Sequence, residues 1–400
     1  MGWCPVSRLK PGAVLQEDVR APNGRLLLKK GRVLDKKRIM VLKSWGVTKV
    51  CIDELCGNKE NKSTELNKEL ISSLFPSSAL QDSLTQRIVF LCFKWLNNAG
   101  KQTISQFINH KKYQKISIPK KLKISPEKIV ASQKKLCSFS AIYKKMMEVL
   151  NDPNSSAQNI GEVISKDTSL SAKLLRFVNS PHFGLVQKID TVSRAIALLG
   201  LDQIKLLVKG IIIIDNFKNL PSDVINMRQF WRHSVGVALM SSIIANTKVG
   251  LSREFFFVAG LLHDIGKLVM LMAMPRVYFN IMLYGKENNL PLYEVEKEIL
   301  DFTHGDVGVI LAKKWYFSNS LCEPIKFHHE PLAGTFPEDI AIVYLADILT
   351  QLLLHGFGGN IYLPLINKEV LTKSEIDIDS LDLVIGTFLK QINTIETAFL

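Results

Sequence analysis

Residues 257–270 read FVAGLLHDIGKLVM. An imidazole and a carboxylate, His263 and Asp264, sit side by side in an otherwise apolar run, with Gly266 and Lys267 directly after. Burying such a pair is costly unless something satisfies it. The surrounding stretch, Phe255 to Met274, is long enough to cross a bilayer, but charges at its centre would be expensive at midplane depth. It is therefore predicted to be a core helix, with no membrane span. Consecutive helical residues point about 100° apart, so His263 and Asp264 do not share a face. Both can still reach one cation lying between their directions.

The remaining donors must come from other helices. The chain has eight histidines, and five of them (His233, His263, His304, His328 and His329) fall between residues 233 and 329 in segments that read as helices or helix ends. His233 in FWRHSVGVA and Asp347 in IVYLADILT are each a lone polar group in an apolar helix, placed to join His263 and Asp264. Imidazole and carboxylate donors suit Mn, Fe, Co, Ni or Zn better than Ca or Mg. His304, His328 and His329 are candidates for a second metal, with Asp264 as the bridge. Two metals about 3.5–4 Å apart can activate water and clamp a phosphoryl oxygen. Lys267, one turn beyond His263, is a candidate for meeting a phosphate, and a helix-end lysine on the last carbonyls explains it equally well. The alternative for the whole set is a hydrogen-bonded polar network without metal. His182 and His355 read as core histidines, and His110 as an exposed one.

Working outward, residues 139–350 are almost purely helical in pattern. Leu170, Leu174, Leu175 and Val178 share a face, and Asn179-Ser180-Pro181 stops that helix. Gly200 ends another, and Asp202 is placed to cap the next. Residues 1–52 read instead as a small α+β module. Asn23-Gly24 lies between two strand-like runs, Asp35 caps a short helix whose Ile39, Leu42 and Trp45 share a face, Gly46 ends it, and VTKVCI closes as a strand. Residues 53–138 combine a helical segment with a lysine-rich linker, set at 101–135. Residues 351–400 form a C-terminal extension without a motif.

Composition narrows the class. Hydrophobic residues make up 47% of 400 and charged ones 22%, as in ordinary globular proteins. The opening MGWCPVSRLKPG lacks the apolar core of a secretory signal. Six cysteines lie without a CxxC pair, which suits a reducing compartment and argues against a disulfide scaffold or structural zinc. The expected location is the cytoplasm. The net charge of +14 is concentrated in residues 1–52, with twelve Lys and Arg against three acids, and in residues 101–135, with ten lysines against Glu127. Nucleic-acid binding rests on those stretches alone, and the second has no Arg and only Phe107 and Tyr113 for stacking, so it reads as a solvated face or linker.

The H…HD…D pattern resembles the HD superfamily of metal-dependent phosphohydrolases. The flanking text is closer still to one branch, the HDOD domain of bacterial signalling proteins, through LSAKLLRFVNSPHFG, AIALLGLDQIKLLV, FWRHSVGVA, AGLLHDIGKLV, THGDVGVILAKKW and IKFHHEP. The likeness covers roughly residues 139–350 and implies a mainly α fold, an HD-type helical bundle preceded by the α+β module. The module itself is similar to a short segment that precedes HD-type signalling domains. HDOD domains are regarded as regulatory, so the resemblance implies a signal-transduction protein acting through signalling partners, with a divalent transition metal (Mn, Fe or Zn) and a phosphorylated small molecule as candidate ligands. The alternative is a metal-dependent phosphohydrolase or cyclic-dinucleotide phosphodiesterase, in which Asp264 and Lys267 would be catalytic. His233, His263, Asp264, His304, His328, His329 and Asp347 match the ligand pattern of HD-GYP domains, which hydrolyse cyclic di-GMP. Gln229 stands where some of those sites place a carboxylate, and no GYP signature lies between Lys267 and His304. The first departure weighs against a third metal, the second against cyclic-dinucleotide cleavage.

Overall fold

The structure, a computed structural model, describes residues 2–6, 9, 13–21, 26–52, 74–96, 121–133, 141–217, 225–359, 362–373 and 375–400. The chain divides into two compact units, Met1–Leu70 and Ile71–Leu400.

The first unit is the α+β module. Strand β1 (Gly2–Pro5) pairs antiparallel with the closing strand, and β2 (Val19–Arg20) pairs antiparallel with β3 (Leu26–Leu28) across a bulge. Helix α1 (Lys36–Ser44) starts where the Asp35 carboxylate accepts from the Arg38 N–H, and β4 (Lys49–Ile52) is the strand paired with β1. Leu15, Leu34, Leu42 and Val50 fill its small core. The Asn23-Gly24 turn lies outside the described residues, although the strands on both sides form the expected hairpin. Trp45 is less buried than Ile39 and Leu42, because it caps α1 rather than continuing its inner face. Gly46 follows at φ 69°, a left-handed conformation that glycine adopts without a Cβ penalty.

The second unit is helical. In order come α2 (Ser83–Leu96), α3 (Pro126–Ser132), α4 (Ala141–Asn151), α5 (Ala157–Ser165), α6 (Thr168–Val178), α7 (Val192–Leu199), α8 (Leu201–Phe217) and α9 (Met227–Asn246). They are followed by α10 (Arg253–Leu262), α11 (Ile265–Ala273), α12 (Pro275–Asn288), α13 (Leu292–Leu300), α14 (His304–Lys314), α15 (Asn319–Phe327), α16 (Pro337–Leu352), α17 (Lys368–Lys373) and α18 (Leu381–Phe399). Side-chain oxygens of Ser156, Asp167, Thr191, Asn226, Ser252 and Ser318 accept from backbone N–H groups three residues on, which fixes where six of these helices begin. Gly200 at φ 88° separates α7 from α8, and Asp202 lies within the first turn of α8 instead of capping it.

Helix α9 is the axis of the bundle. Buried on every side from Val235 to Ala245, it packs on α10, α16 and α18. Three differences from the sequence reading follow from such packing. The run around the HD pair is two helices, with His263 ending α10 and Asp264, at φ −99° and ψ 8°, starting α11. The lysine-rich linker ends earlier than its charge pattern does: α3 buries Ile129 and Val130 against α11 and α14, and residues 97–120 lie outside the described residues. The C-terminal extension is an integral layer, since α18 packs on α9, α6 and α2. In the apolar stretch Arg253–Ala273, 89% of the most apolar window is buried inside the protein.

Candidate metal centre

Five segments deliver the polar residues. His233 comes from the middle of α9, and His263 and Asp264 from the break between α10 and α11. His304 is the first residue of α14, His328 and His329 follow α15, and Asp347 lies in α16. All but His329 are buried, and His329 is half-buried. The structure thus brings together all seven residues singled out in the sequence. His110 lies outside the described residues. His182 and His355 are elsewhere in the core, with Ser242 and Glu396 as neighbours.

Asp264 stands between two groups of donors. On one side, its Oδ2 is 3.2 Å from His263 Nε2 and 3.8 Å from His233 Nε2. Asp347 Oδ1 closes that group at 3.0 Å from His233 Nε2 and 3.7 Å from His263 Nε2. On the other side, Asp264 Oδ1 is 3.2 Å from His304 Nε2 and 3.5 Å from His328 Nε2, with His329 Nε2 3.2 Å from that of His304. In His233–His263–Asp264 and in Asp264–His304–His328–His329, one donor atom per residue lies within 4.8 Å of all the others, close enough to share an ion.

The break between α10 and α11 has a packing cause. A Cβ on Gly266 would fall 1.9 Å from the His304 carbonyl oxygen and 2.8 Å from Gly308 N, so α11 and α14 meet backbone to backbone. That contact sets His304 opposite Asp264. A one-turn bond from Lys267 N–H to Asp264 O, 2.9 Å, then restarts the helix.

Hydrogen bonds behind the ring nitrogens fix their orientation. His263 Nδ1 donates to Gly260 O at 2.7 Å and His328 Nδ1 to Ile325 O at 3.0 Å, which leaves each Nε2 facing the centre with its lone pair. His304 Nδ1 meets the buried Glu296 carboxylate at 2.7 Å, Glu296 also accepts the His304 backbone N–H at 2.9 Å, and Tyr278 donates to its second oxygen. Gln351 Nε2 donates to Asp347 Oδ1 at 2.8 Å.

Charge follows the same division. Burial disfavours ionised Asp264, but the adjacent His263 and the Lys267 ammonium hold its carboxyl well below the usual range. Burial also opposes ionised Asp347, and the His233 ring beside it brings it down to about 2. For His263, burial is outweighed by Asp264 and Asp347, so its pKa is raised. Burial, with His263 and His304 beside it, pushes His328 down to about 4. Burial likewise lowers His329, where His328 and His304 add their repulsion. His233 is lowered by burial despite Asp347.

Lys267 is not a helix-end lysine. It lies in the first turn of α11, 1% exposed, with Nζ 2.7 Å from Asp264 Oδ2. The donor set fits a divalent cation: His233 Nε2, His263 Nε2 and Asp264 Oδ1 are buried without a hydrogen-bond partner, an arrangement that is costly for a purely hydrogen-bonded network. Beside His329 and Asp347 is a cavity of about 10 Å³, lined also by Tyr293, Tyr344 and Tyr362. That is room for about one water. The Tyr293 ring stacks on His329, 4.8 Å between centroids.

Glu296 and the glycines of the segment after α16 belong to this site and escaped the sequence reading. Glu296 sits in YEVEKEIL, where it is one acid among several. The run HGFGG at 355–359 does carry a signal, because clustered glycines after an apolar helix mark close backbone approach.

The HDOD domain family model matches residues 136–331. Residues 136–331 thus carry an HDOD domain, and Asp347 and everything after it lie beyond the matched region. A protein of Treponema pallidum (strain Nichols), itself uncharacterised, is 24% identical over 220 residues, which are 53% of this chain and 42% of the relative. The chain spans less than half the length of the curated relatives it matches. Among solved structures, a candidate phosphohydrolase of Shewanella amazonensis SB2B superposes with a TM-score of 0.53 at 19% identity, over 68% of this chain and 98% of that one. An HDOD domain protein of unknown function from Geobacter sulfurreducens gives 0.51 at 22% identity, over 78% and 96%. These likenesses establish the helical HDOD fold.

Proposed function

We propose that this chain is a signal-transduction protein that acts through protein partners, with a divalent transition metal (Mn, Fe or Zn) held in its His/Asp centre as a sensing or organising element. The observation that carries the reading is the set of buried donor atoms without hydrogen-bond partners at His233, His263 and Asp264. An ion between His233 and His263 would satisfy both Nε2 atoms, and one on the His304 side would satisfy Asp264 Oδ1. His233, His263, Asp264 and Asp347 would hold one ion, and Asp264, His304, His328 and His329 a second. The regulatory half of the reading is supported by the cavity beside His329 and Asp347, whose single-water size leaves no room for a phosphate ester.

Metal analysis of the purified protein, before and after reconstitution with Mn, Fe or Zn, tests the first half. The expected result is at least one ion per chain in the native protein, lost in the double variant His263→Ala, Asp264→Asn. Well under one ion per chain after reconstitution would leave a hydrogen-bonded network in its place.

The sharing of Asp264 between two donor groups favours a second reading, a metal-dependent phosphohydrolase. A bound ion supplies a Lewis acid that polarises a phosphoryl oxygen and acidifies water. In that case Asp264 would orient the attacking water, and Lys267 would hold Asp264 in place instead of reaching the phosphate. The assay is hydrolysis of cyclic di-GMP, other cyclic dinucleotides and nucleoside monophosphates with Mn or Fe supplied anaerobically. We expect no cleavage of cyclic di-GMP. Metal-dependent turnover that vanishes in Asp264→Asn would establish the enzyme instead.

A further inference from the structure

Past the end of α16 the chain bends sharply, with Leu354 at φ 54°, Gly356 at φ 77° and Gly359 at φ 93°. Its first part is pinned to the bundle. His355 Nε2 lies 2.9 Å from Glu396 Oε1 of α18, the same oxygen that takes Arg232 Nε of α9 at 2.8 Å. Phe357 N–H donates to Gln229 O at 2.9 Å, which lays the backbone along α9 beside His233. The contact is close enough to forbid side chains. A Cβ on Gly356 would fall 2.2 Å from His233 N. One on Gly358 would fall 2.5 Å from His233 Cδ2, 2.8 Å from His233 Nε2 and 2.9 Å from Asp264 Oδ2. Further on, Tyr362 and Leu363 line the single-water cavity, and Leu363 N–H is tied to Leu74 O at 2.6 Å.

We propose that this strap, residues 354–359 with Tyr362, determines which ligands reach the His/Asp centre: water-sized ligands enter and phosphate esters are excluded, with Gly358 as the position that permits closure. This deepens the reading of the centre given above, although the strap's own geometry involves only protein atoms. The strap, like Asp347, lies outside the HDOD match. Its backbone covers the edge of His233 and Asp264, while Tyr293 covers His329 from the other side. A methyl group at Gly358 has two outlets, displacement of the strap or displacement of the His233 ring, and both open the centre. Tyr362→Ala removes a wall of the cavity without touching any of the seven donors.

The test uses full-length protein stripped of metal by chelator, so that it stands whether or not the centre takes a cation. Diethylpyrocarbonate, a histidine reagent much larger than water, is applied at neutral pH and the modified residues are mapped by peptide mass spectrometry. In the wild type, His233, His263, His328 and His329 should react at least about tenfold more slowly than N-acetylhistidine, their modification being limited by rare opening. In Gly358→Ala and in Tyr362→Ala the same histidines should gain about tenfold in rate. Adenosine monophosphate should slow the reaction in these variants and leave the wild type unchanged. Melting followed by circular dichroism identifies a variant that has lost its fold, and Tyr362→Ala then carries the test alone. Free reactivity of the centre in the wild type would overturn the proposal. So would full protection in folded Tyr362→Ala, or protection of the wild type by adenosine monophosphate. A failed metal analysis with a protected wild type and reactive variants would remove the metal reading and leave the strap.

Discussion

Glu296 shows what a single side chain contributes from behind the donors. Its carboxylate takes both the ring and the backbone N–H of His304, so replacing it alters the aim of one imidazole while removing no donor. We expect Glu296→Gln to remain folded and to bind metal about 10–100-fold more weakly at the His304 side, as losses of outer partners typically do. Competition with a chromogenic chelator measures it. A second residue-scale prediction concerns acid stability. Burial first, and the Arg253 guanidinium second, push His182 down to about 4, while in the unfolded chain it titrates near 6.5. The unfolded state therefore binds the extra proton between those values, and stability must fall as pH falls from about 6.5 to about 4. The window is worth on the order of 3 kcal/mol. Urea midpoints taken at pH 7, 5 and 4 should drop more steeply in the wild type than in His182→Gln. His233, His263, Asp264 and Asp347 were legible because each is a polar residue stranded in apolar sequence, and His304, His328 and His329 because histidines cluster in that region. Glu296 was not, because a glutamate in an amphipathic helix looks solvated until the neighbouring helices are in place.

Helix pairing explains why the element containing the HD pair was misjudged. Apart from His263, Asp264 and Lys267, the sequence is apolar from Phe255 to Met274, so it reads as one helix, and only contact with α14 splits it. Gly266 is the residue on which that contact depends. In Gly266→Ala the new methyl would sit 1.9 Å from the His304 carbonyl, with backbone on both sides and no flexible neighbour to yield. The expected cost is about 3 kcal/mol or more, at the upper end for overpacking, read as a lowered urea midpoint with an unchanged slope. Helix starts were legible where an Asp at the cap announces them locally, as at Asp35, but Asp202, read in the same way, lies inside α8. Short packed helices inside charged sequence were harder. In α3, two buried residues, Ile129 and Val130, outweigh the lysines around them.

Over the whole chain, the bundle and the module were legible from a change in periodicity, while the role of the last fifty residues was not. Nothing in the pattern of α18 says which helices it covers, yet it closes α9 from the side, and through Glu396 it holds the strap. Arg232 and Glu396 are 164 residues apart in sequence. The loop that this contact closes is long, and loops of that length form late because their entropy must be lost before contacts repay it. Local helix pairs such as α10 with α11 can assemble early, but the lid over their junction cannot. A refolding chain should therefore pass through a stage in which His263 and Asp264 are in place and still open to solvent. An ion that binds only the completed centre would then leave the refolding rate nearly unchanged and slow unfolding instead. Stopped-flow refolding and unfolding with and without added Mn would show whether the centre closes on the far side of the folding barrier.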